Sequence, residues 1–381
     1  MNIGIALIRP NVLIIYASPA LSGPGKGILQ FIRHAKSSFD YRLASFIREA
    51  GVDSEFSEIA KKRGANYTPI IQKGALDVRL FSQVRTMCGE RRVNIIQTHG
   101  YKGHVIALVL SKVLRIKWIA WAHGWTNENA KVRLYNKIER FCLKRADVAV
   151  AVSPALHETI HRIRGEKRKT HMILNAVDEG ELSYDIGGDG VRQKHGVNAQ
   201  DVVIGCFGRF SPEKGQEVLL ESVALVLPEC PEIKVMLVGE GQERNKLEVM
   251  ANHLGISNAI VFCGYQQAMQ DYYEAADIVI LPSHSEGLPN VVLEAMMSKR
   301  AVISTDVGGV KEIISDGENG WIVPPGNFKA MANALKIVVI NVELRKQVAE
   351  KGYYSLYPKF SPQKRAKKIL SIYNDLLEGS V

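Results

Sequence analysis

Ile278-Val279-Ile280-Leu281-Pro282-Ser283-His284-Ser285-Glu286-Gly287-Leu288-Pro289-Asn290 begins with four apolar residues, breaks at a proline and passes through a polar loop into a stretch of helical period carrying Glu294. An apolar run that short, bounded by turn residues, reads as a buried strand. The same succession recurs at Val202 to Phe207, Ile233 to Val238, Ala259 to Phe262, Ala301 to Ser304 and Trp321 to Val323. In the first half it recurs at Asn11 to Ala17, Val93 to Thr98, Lys117 to Ala122, Val148 to Val152 and His171 to Leu174, with helical segments filling the gaps. Alternation of this kind predicts an α/β protein built from parallel sheets.

With 381 residues the chain is long enough for two domains, each with its own core. Asp178 to Gly196 is acidic, contains Gly187, Gly188 and Gly190 and lacks a hydrophobic period, so it is expected to be a linker. It would join a first domain over 1–180 to a second over 197–359. The tail, 360–381, reads as one basic amphipathic helix long enough to return to the first domain. No apolar run reaches the roughly 18 residues a membrane-spanning helix needs. Asn11 to Ser22 reads as a buried first strand and loop rather than a signal peptide. The role of Met1 to Pro10 is not legible.

Five cysteines, Cys88, Cys142, Cys206, Cys230 and Cys263, are scattered without metal-ligand spacing, as expected of reduced core thiols in a cytoplasmic protein. Charge is uneven: 29 Lys and Arg face 12 Asp and Glu up to residue 175, and 20 face 27 beyond it. A basic first half suits an anionic membrane surface, an anionic acceptor or nucleic acid. Basic residues stand beside aromatic ones at Lys117 and Trp118 and along 131–145, which favours the membrane. No nucleic-acid module is visible.

In open α/β sheets, ligands bind beyond the carboxyl ends of strands. Gly208-Arg209-Phe210-Ser211-Pro212-Glu213-Lys214-Gly215 follows a strand there and carries two cations ahead of a helix. An Arg fork, a Lys point charge and helix-terminal amides suit a diphosphate, although a plain surface turn with a Glu213–Lys214 pair is the alternative. Glu286 in its loop and Glu294 one turn into its helix can accept hydrogen bonds from sugar hydroxyls, one gripping a transferred sugar and the other a ribose.

Taken in order, Gly208 to Gly215, Ser283 to Glu294, Thr305-Asp306-Val307-Gly308-Gly309 and Asp316-Gly317-Glu318-Asn319-Gly320 closely resemble the family-four retaining glycosyltransferases of the GT-B fold. The first half resembles the same family through Ser22-Gly23-Pro24-Gly25, Trp121-Ala122-His123-Gly124-Trp125 and Ala146 to Ser153. The resemblance implies two Rossmann-like domains facing across a cleft, and a metal-independent retaining transfer. The donor would be a nucleotide-diphosphate sugar of UDP or GDP type, with no cofactor. Arg209 and Lys214 would then bind the diphosphate, Glu286 the donor sugar and Glu294 the ribose. Gly208 and the backbone of Gly287, Leu288, Pro289 and Asn290 would help hold sugar and phosphate. Gly23 and Gly25 would let the backbone approach the phosphate. His123 would sit at the reaction centre with Glu286, while His99 carries less support and His104 reads as a polar residue of a helix start.

Relatives of this kind build bacterial surface polysaccharides, which implies a glycan or lipid-linked acceptor and a cytoplasmic enzyme peripheral on the inner face of the plasma membrane. Ser285, often bulkier in the family, and Lys299-Arg300-Ala301, usually Gly-Lys-Pro, depart from its pattern. A sugar-nucleotide 2-epimerase and a non-catalytic scaffold of the same fold are the rival readings.

Overall fold

A computed structural model of the protein describes residues 9–74, 77–125, 130–178 and 185–378. Residues 1–8, the early part of the expected linker (179–184) and the end of the tail (379–381) lie outside the described residues. Two compact units emerge: one holds the described chain up to Asn175 together with that from Pro362 onward, and the other runs from Ala176 to Ser361.

The first unit alternates β1 (Asn11–Tyr16), α1 (Gly23–Ala35), β2 (Asp40–Ile47), α2 (Glu55–Lys62), β3 (Tyr67–Ile71), α3 (Arg79–Glu90), β4 (Ile95–His99), α4 (Tyr101–Leu114), β5 (Lys117–Ala122), α5 (Ala130–Leu143), β6 (Val148–Ala151), α6 (Pro154–Arg164) and β7 (Thr170–Met172). Its strands form a parallel sheet in the order β3-β2-β1-β4-β5-β6-β7. The order reverses between β1 and β4, which opens a ligand crevice at their carboxyl ends. Val12 to Ile15 are wholly buried, as a strand covered by helices on both faces requires.

Helical segments were expected to fill all of the chain between the first two strand candidates, but β2 and β3 lie there. Arg42 and Ser45 interrupt the apolar run of β2, and Pro69 sits in β3. As the sheet's edge strand, β3 can hold a proline because one row of its amides pairs with no neighbour.

In the second unit come α7 (Gly187–Lys194), β8 (Val202–Phe207), α8 (Gln216–Val226), β9 (Ile233–Val238), α9 (Arg244–His253), β10 (Ile260–Gly264), α10 (Met269–Ala275), β11 (Ile278–Leu281), α11 (Asn290–Met297), β12 (Ala301–Thr305), β13 (Trp321–Val323), α12 (Phe328–Ile340) and α13 (Val342–Ser355). The strand order is β10-β9-β8-β11-β12-β13, with its reversal between β8 and β11. Residues 187–194, expected within a linker, are helical instead. Their helix, α7, packs on α10 so closely that a Cβ at Gly188 would meet the Glu274 backbone. Arg192 fastens it by donating to the Ala275 carbonyl and the Asp277 carboxylate. Low hydrophobicity hid this helix because its anchor is a guanidinium.

The tail helix, α14 (Pro362–Glu378), belongs to the first unit. Ile369, Ile372, Tyr373 and Leu376 form its buried stripe, and Arg365 donates to the Gly27 carbonyl of α1 at 2.7 Å. All five cysteines are free and buried. Burial pushes the Cys88 and Cys142 thiols up to about 11, and those of Cys206 and Cys263 to about 12, so they are inert.

Candidate functional site

At the second unit's switch point, the loops after β8 and β11 are stitched together. Gly215, at φ +64°, is in the left-handed region, and a Cβ there would overlap the Pro282 carbonyl. The His284 amide donates to the Glu213 carbonyl at 2.8 Å. Held this way, Lys214 Nζ reaches Glu286 Oε1 at 2.7 Å, and the same oxygen accepts from Ser283 Oγ at 2.7 Å. Lys214 keeps 23% of its side chain exposed and Glu286 11%, so the pair is largely desolvated while still reachable.

The two cations therefore stand in different settings. Arg209 is 60% exposed and pairs with Glu213 at 2.5 Å, while Ser211 Oγ donates to the same carboxylate at 2.8 Å. Burial raises the Glu213 pKa, but hydrogen bonds from Ser211 and Arg209 outweigh it and the net shift is downward. The alternative Glu213–Lys214 pairing does not form, because the helical turn Pro212–Lys214 carries the two side chains to different partners.

Glu286 and Gly287 are clamped from the loop after β12. Gly308, at φ +57°, lies against their carbonyl oxygens where a Cβ would overlap them, and the Gly309 amide donates to the Gly287 carbonyl at 2.7 Å. Thr305 Oγ1 donates to the Ser283 carbonyl at 2.6 Å. Leu288 is buried, Pro289 is the N-cap of α11 and Asn290 its first residue, so first-turn backbone N–H groups gather beside Glu286. Gly208 begins the loop under β9's exit, where Gly239 and Gly241 admit its backbone and that of Phe210.

One turn into α11, Glu294 is buried and accepts from Tyr273 at 2.8 Å. Burial, and then the Glu294 charge, drive the Tyr273 pKa well above its ordinary value, so the phenol stays a donor.

In the first unit, Gly23 opens α1 and Gly25 lies in its first turn. A Cβ at Gly25 would meet the Tyr16 and Phe56 rings at 3.1 Å, so this glycine also serves the packing of β1 against α2. His123 follows β5 and His99 ends β4; His99 Nδ1 lies 2.9 Å from His123 Nε2, and the rings stack with centroids 5.2 Å apart. Burial first, and then Arg365 and His104, lower the His123 pKa to about 3. His104 lies in the first turn of α4 and is buried there, with its Nδ1 paired to Thr98 Oγ1 at 2.7 Å.

Thus the fold gathers Gly208, Arg209, Lys214, Glu286, Gly287, Leu288, Pro289, Asn290 and Glu294 on the second unit, while Gly23, Gly25 and His123 stand on the first. Tyr273 and Ser283 are partners for which periodicity carries no signal. Gly239-Glu240-Gly241, a glycine pair directly after a strand, could have been found.

A family model described as glycosyl transferases group 1 matches residues 189–354, and one described as glycosyltransferase family 4 matches 24–181. N-acetyl-alpha-D-glucosaminyl L-malate synthase of Bacillus anthracis is 25% identical over 82% of this chain and 82% of its own length. The lipopolysaccharide core biosynthesis glycosyltransferase LpsE of Rhizobium meliloti (strain 1021) is 32% identical over 57% of this chain and 61% of its own. The structure of HepE from Anabaena, solved with UDP and glucose, superposes with a TM-score of 0.84 at 20% identity, covering 96% of this chain and 100% of HepE.

Proposed function

We propose that this chain, which belongs to the group 1 glycosyl transferases and has their GT-B fold, transfers a sugar from a UDP- or GDP-type donor to a glycan or lipid-linked acceptor, with retention of configuration, in bacterial surface polysaccharide synthesis. The observation that carries the reading is the Lys214–Glu286 pair beside the start of α11. Each partner matches one half of a sugar diphosphate: the ammonium suits a phosphate oxygen, and the carboxylate suits sugar hydroxyls. Bound donor would replace one contact by two, Lys214 turning to phosphate and Glu286 to sugar.

Arg209 would meet the outer phosphate oxygens, the N–H groups around Gly287 to Asn290 would neutralise the leaving diphosphate, and Glu294 would hold the ribose. His123 would contact the sugar from the first unit, with Gly23 and Gly25 beside the phosphate. Two cations and a helix terminus supply the charge stabilisation the leaving group needs, so the mechanism calls for no metal. The substitution would proceed on one face through an oxocarbenium-like state, the acceptor hydroxyl losing its proton to the departing phosphate oxygen.

The relatives' printed names support the pathway, one of them acting in lipopolysaccharide core synthesis. A basic first half, with Phe141 of α5 half exposed under Arg145 at 3.4 Å from its ring centroid, supports docking on an anionic membrane. Among the described residues no helix is long and apolar enough to cross one. The deciding experiment incubates the protein with UDP- and GDP-sugars, with and without glycan acceptors. Acceptor-dependent glycoside of unchanged anomeric configuration is expected; donor consumed equally without acceptor would favour an epimerase, and no turnover a scaffold.

A further inference from the structure

A buried phenol on the C-terminal helix stands at the head of a hydrogen-bond chain that ends at His123. Tyr373 of α14 has no solvent exposure, and its hydroxyl lies 2.8 Å from Gln97 Oε1. Gln97 Nε2 lies 2.9 Å from His99 Nε2, and His99 Nδ1 2.9 Å from His123 Nε2. The buried end decides the polarity of the whole chain. A phenol hydrogen sealed from water needs an acceptor, and Gln97 is the hydroxyl's one hydrogen-bond partner among the described residues.

Tyr373 therefore donates to the amide oxygen, which turns the amide NH2, a donor only, toward His99. His99 Nε2 must accept, so the hydrogen of this neutral ring sits on Nδ1 and is donated to His123 Nε2. His123 in turn carries its own hydrogen on Nδ1. The reverse polarity would leave the Tyr373 hydrogen buried without an acceptor. Burial, reinforced for His99 by His123 and Arg365 and for His123 by Arg365 and His104, keeps both rings neutral at physiological pH.

We propose that Tyr373 and Gln97 are positioning residues for the transfer reaction, which act through His99 to fix His123 as a hydrogen-bond donor at Nδ1, the ring atom without a protein partner among the described residues. The proposal rests on the reading of His123 as a sugar contact. It makes the tail helix part of the machinery rather than only a brace: the hydrogen His123 offers to a sugar or phosphate oxygen is placed by a phenol near the far end of the sequence. A ring with its hydrogen on the wrong nitrogen would present a lone pair there, which repels a phosphate oxygen and can only accept from a sugar hydroxyl, never donate to it.

The test reads the tautomer directly in the full-length protein without donor, by 15N NMR of histidine-labelled wild type, Gln97→Glu and Tyr373→Phe. Wild type should show His123 protonated at Nδ1. Gln97→Glu can only accept, so it should draw the His99 hydrogen to Nε2 and that of His123 to Nε2 as well. Tyr373→Phe frees the amide to turn and should give both tautomers, with circular dichroism and melting showing that the fold is kept. Alongside, kcat should fall about 10- to 100-fold in Gln97→Glu, as losses of supporting residues do, with donor KM little changed. His123 found on Nε2 in wild type, or an unaltered tautomer in both variants, overturns the relay. A tautomer switch with unchanged kcat instead overturns the reading of His123 as a sugar contact.

Discussion

Lys214 and Glu286 lie 72 positions apart in the chain and 2.7 Å apart in the fold, one on the loop after β8 and the other on the loop after β11. Each side chain is the other's counter-ion until something better suited to both arrives. A largely desolvated pair loses more when one partner is removed than an exposed pair does, because the remaining charge is stranded. This asymmetry sets the order of effects expected from the two cations.

Lys214→Ala should weaken donor binding by about 1.5 to 3 kcal/mol, on the order of 10- to 150-fold. Arg209→Ala should cost less, since its side chain is more than half exposed and screened. Titration calorimetry with UDP and GDP checks both variants, and unchanged affinity in the two would remove the diphosphate assignment.

Glu286→Gln should lower kcat far more than it alters donor affinity, because a sugar contact strengthens as positive charge develops in the ring. Glu294→Gln should mainly raise donor KM, since a ribose does not react. Tyr273→Phe, which frees the buried carboxylate from its 2.8 Å donor, should follow Glu294→Gln in kind. Steady-state constants at saturating acceptor decide the matter, and a larger kcat loss in Glu294→Gln would reverse the two roles.

Chelation should leave activity largely intact if, as proposed, Lys214, Arg209 and the α11 terminus hold the leaving diphosphate. Assays with EDTA, then with Mg²⁺ or Mn²⁺ added back, read this directly. Full loss and metal-specific recovery would replace the metal-free mechanism.

Low pH should destabilise the first unit. His99 and His123 have folded-state pKa values below the ordinary value of about 6.5, so beneath that pH the unfolded chain binds protons the folded chain refuses. Their contribution is complete above about pH 6.5 and declines below it by up to about 1.4 kcal/mol per pH unit for each ring. For His123 the decline ends only near pH 3. Urea unfolding between pH 7.5 and 5 should give a steeper pH slope for wild type than for His99→Asn; equal slopes would mean that His99 is not the group responsible.

Vesicles containing anionic lipid should retain the protein at low salt and release it as ionic strength rises, through the excess of basic residues before residue 176. Equal sedimentation with neutral and anionic vesicles would count against a charged membrane face.

Periodicity and turn chemistry alone located the strands from β4 to β13 to within two residues at their starts, because most of them are buried parallel strands, which must be largely apolar on both faces. The loops at Gly208 to Gly215 and Ser283 to Asn290 were legible for the same reason: they follow such strands and hold the residue types that meet phosphates and sugars. Edge strand β3 and its neighbour β2 escaped, being polar enough to resemble their surroundings, and α7 escaped because an arginine rather than an apolar face anchors it. The partners of the site residues were decided only by tertiary structure. Glu213 takes Arg209 and Glu286 takes Lys214 because β8 and β11 are neighbours at the switch point, and His123 is linked through His99 and Gln97 to Tyr373 because β4, β5 and α14 converge. Local sequence specifies which way a chain turns and which face it buries, whereas strand order is set by the packing of whole units; so the chemistry of each group could be read along the chain, and the identity of its partner could not.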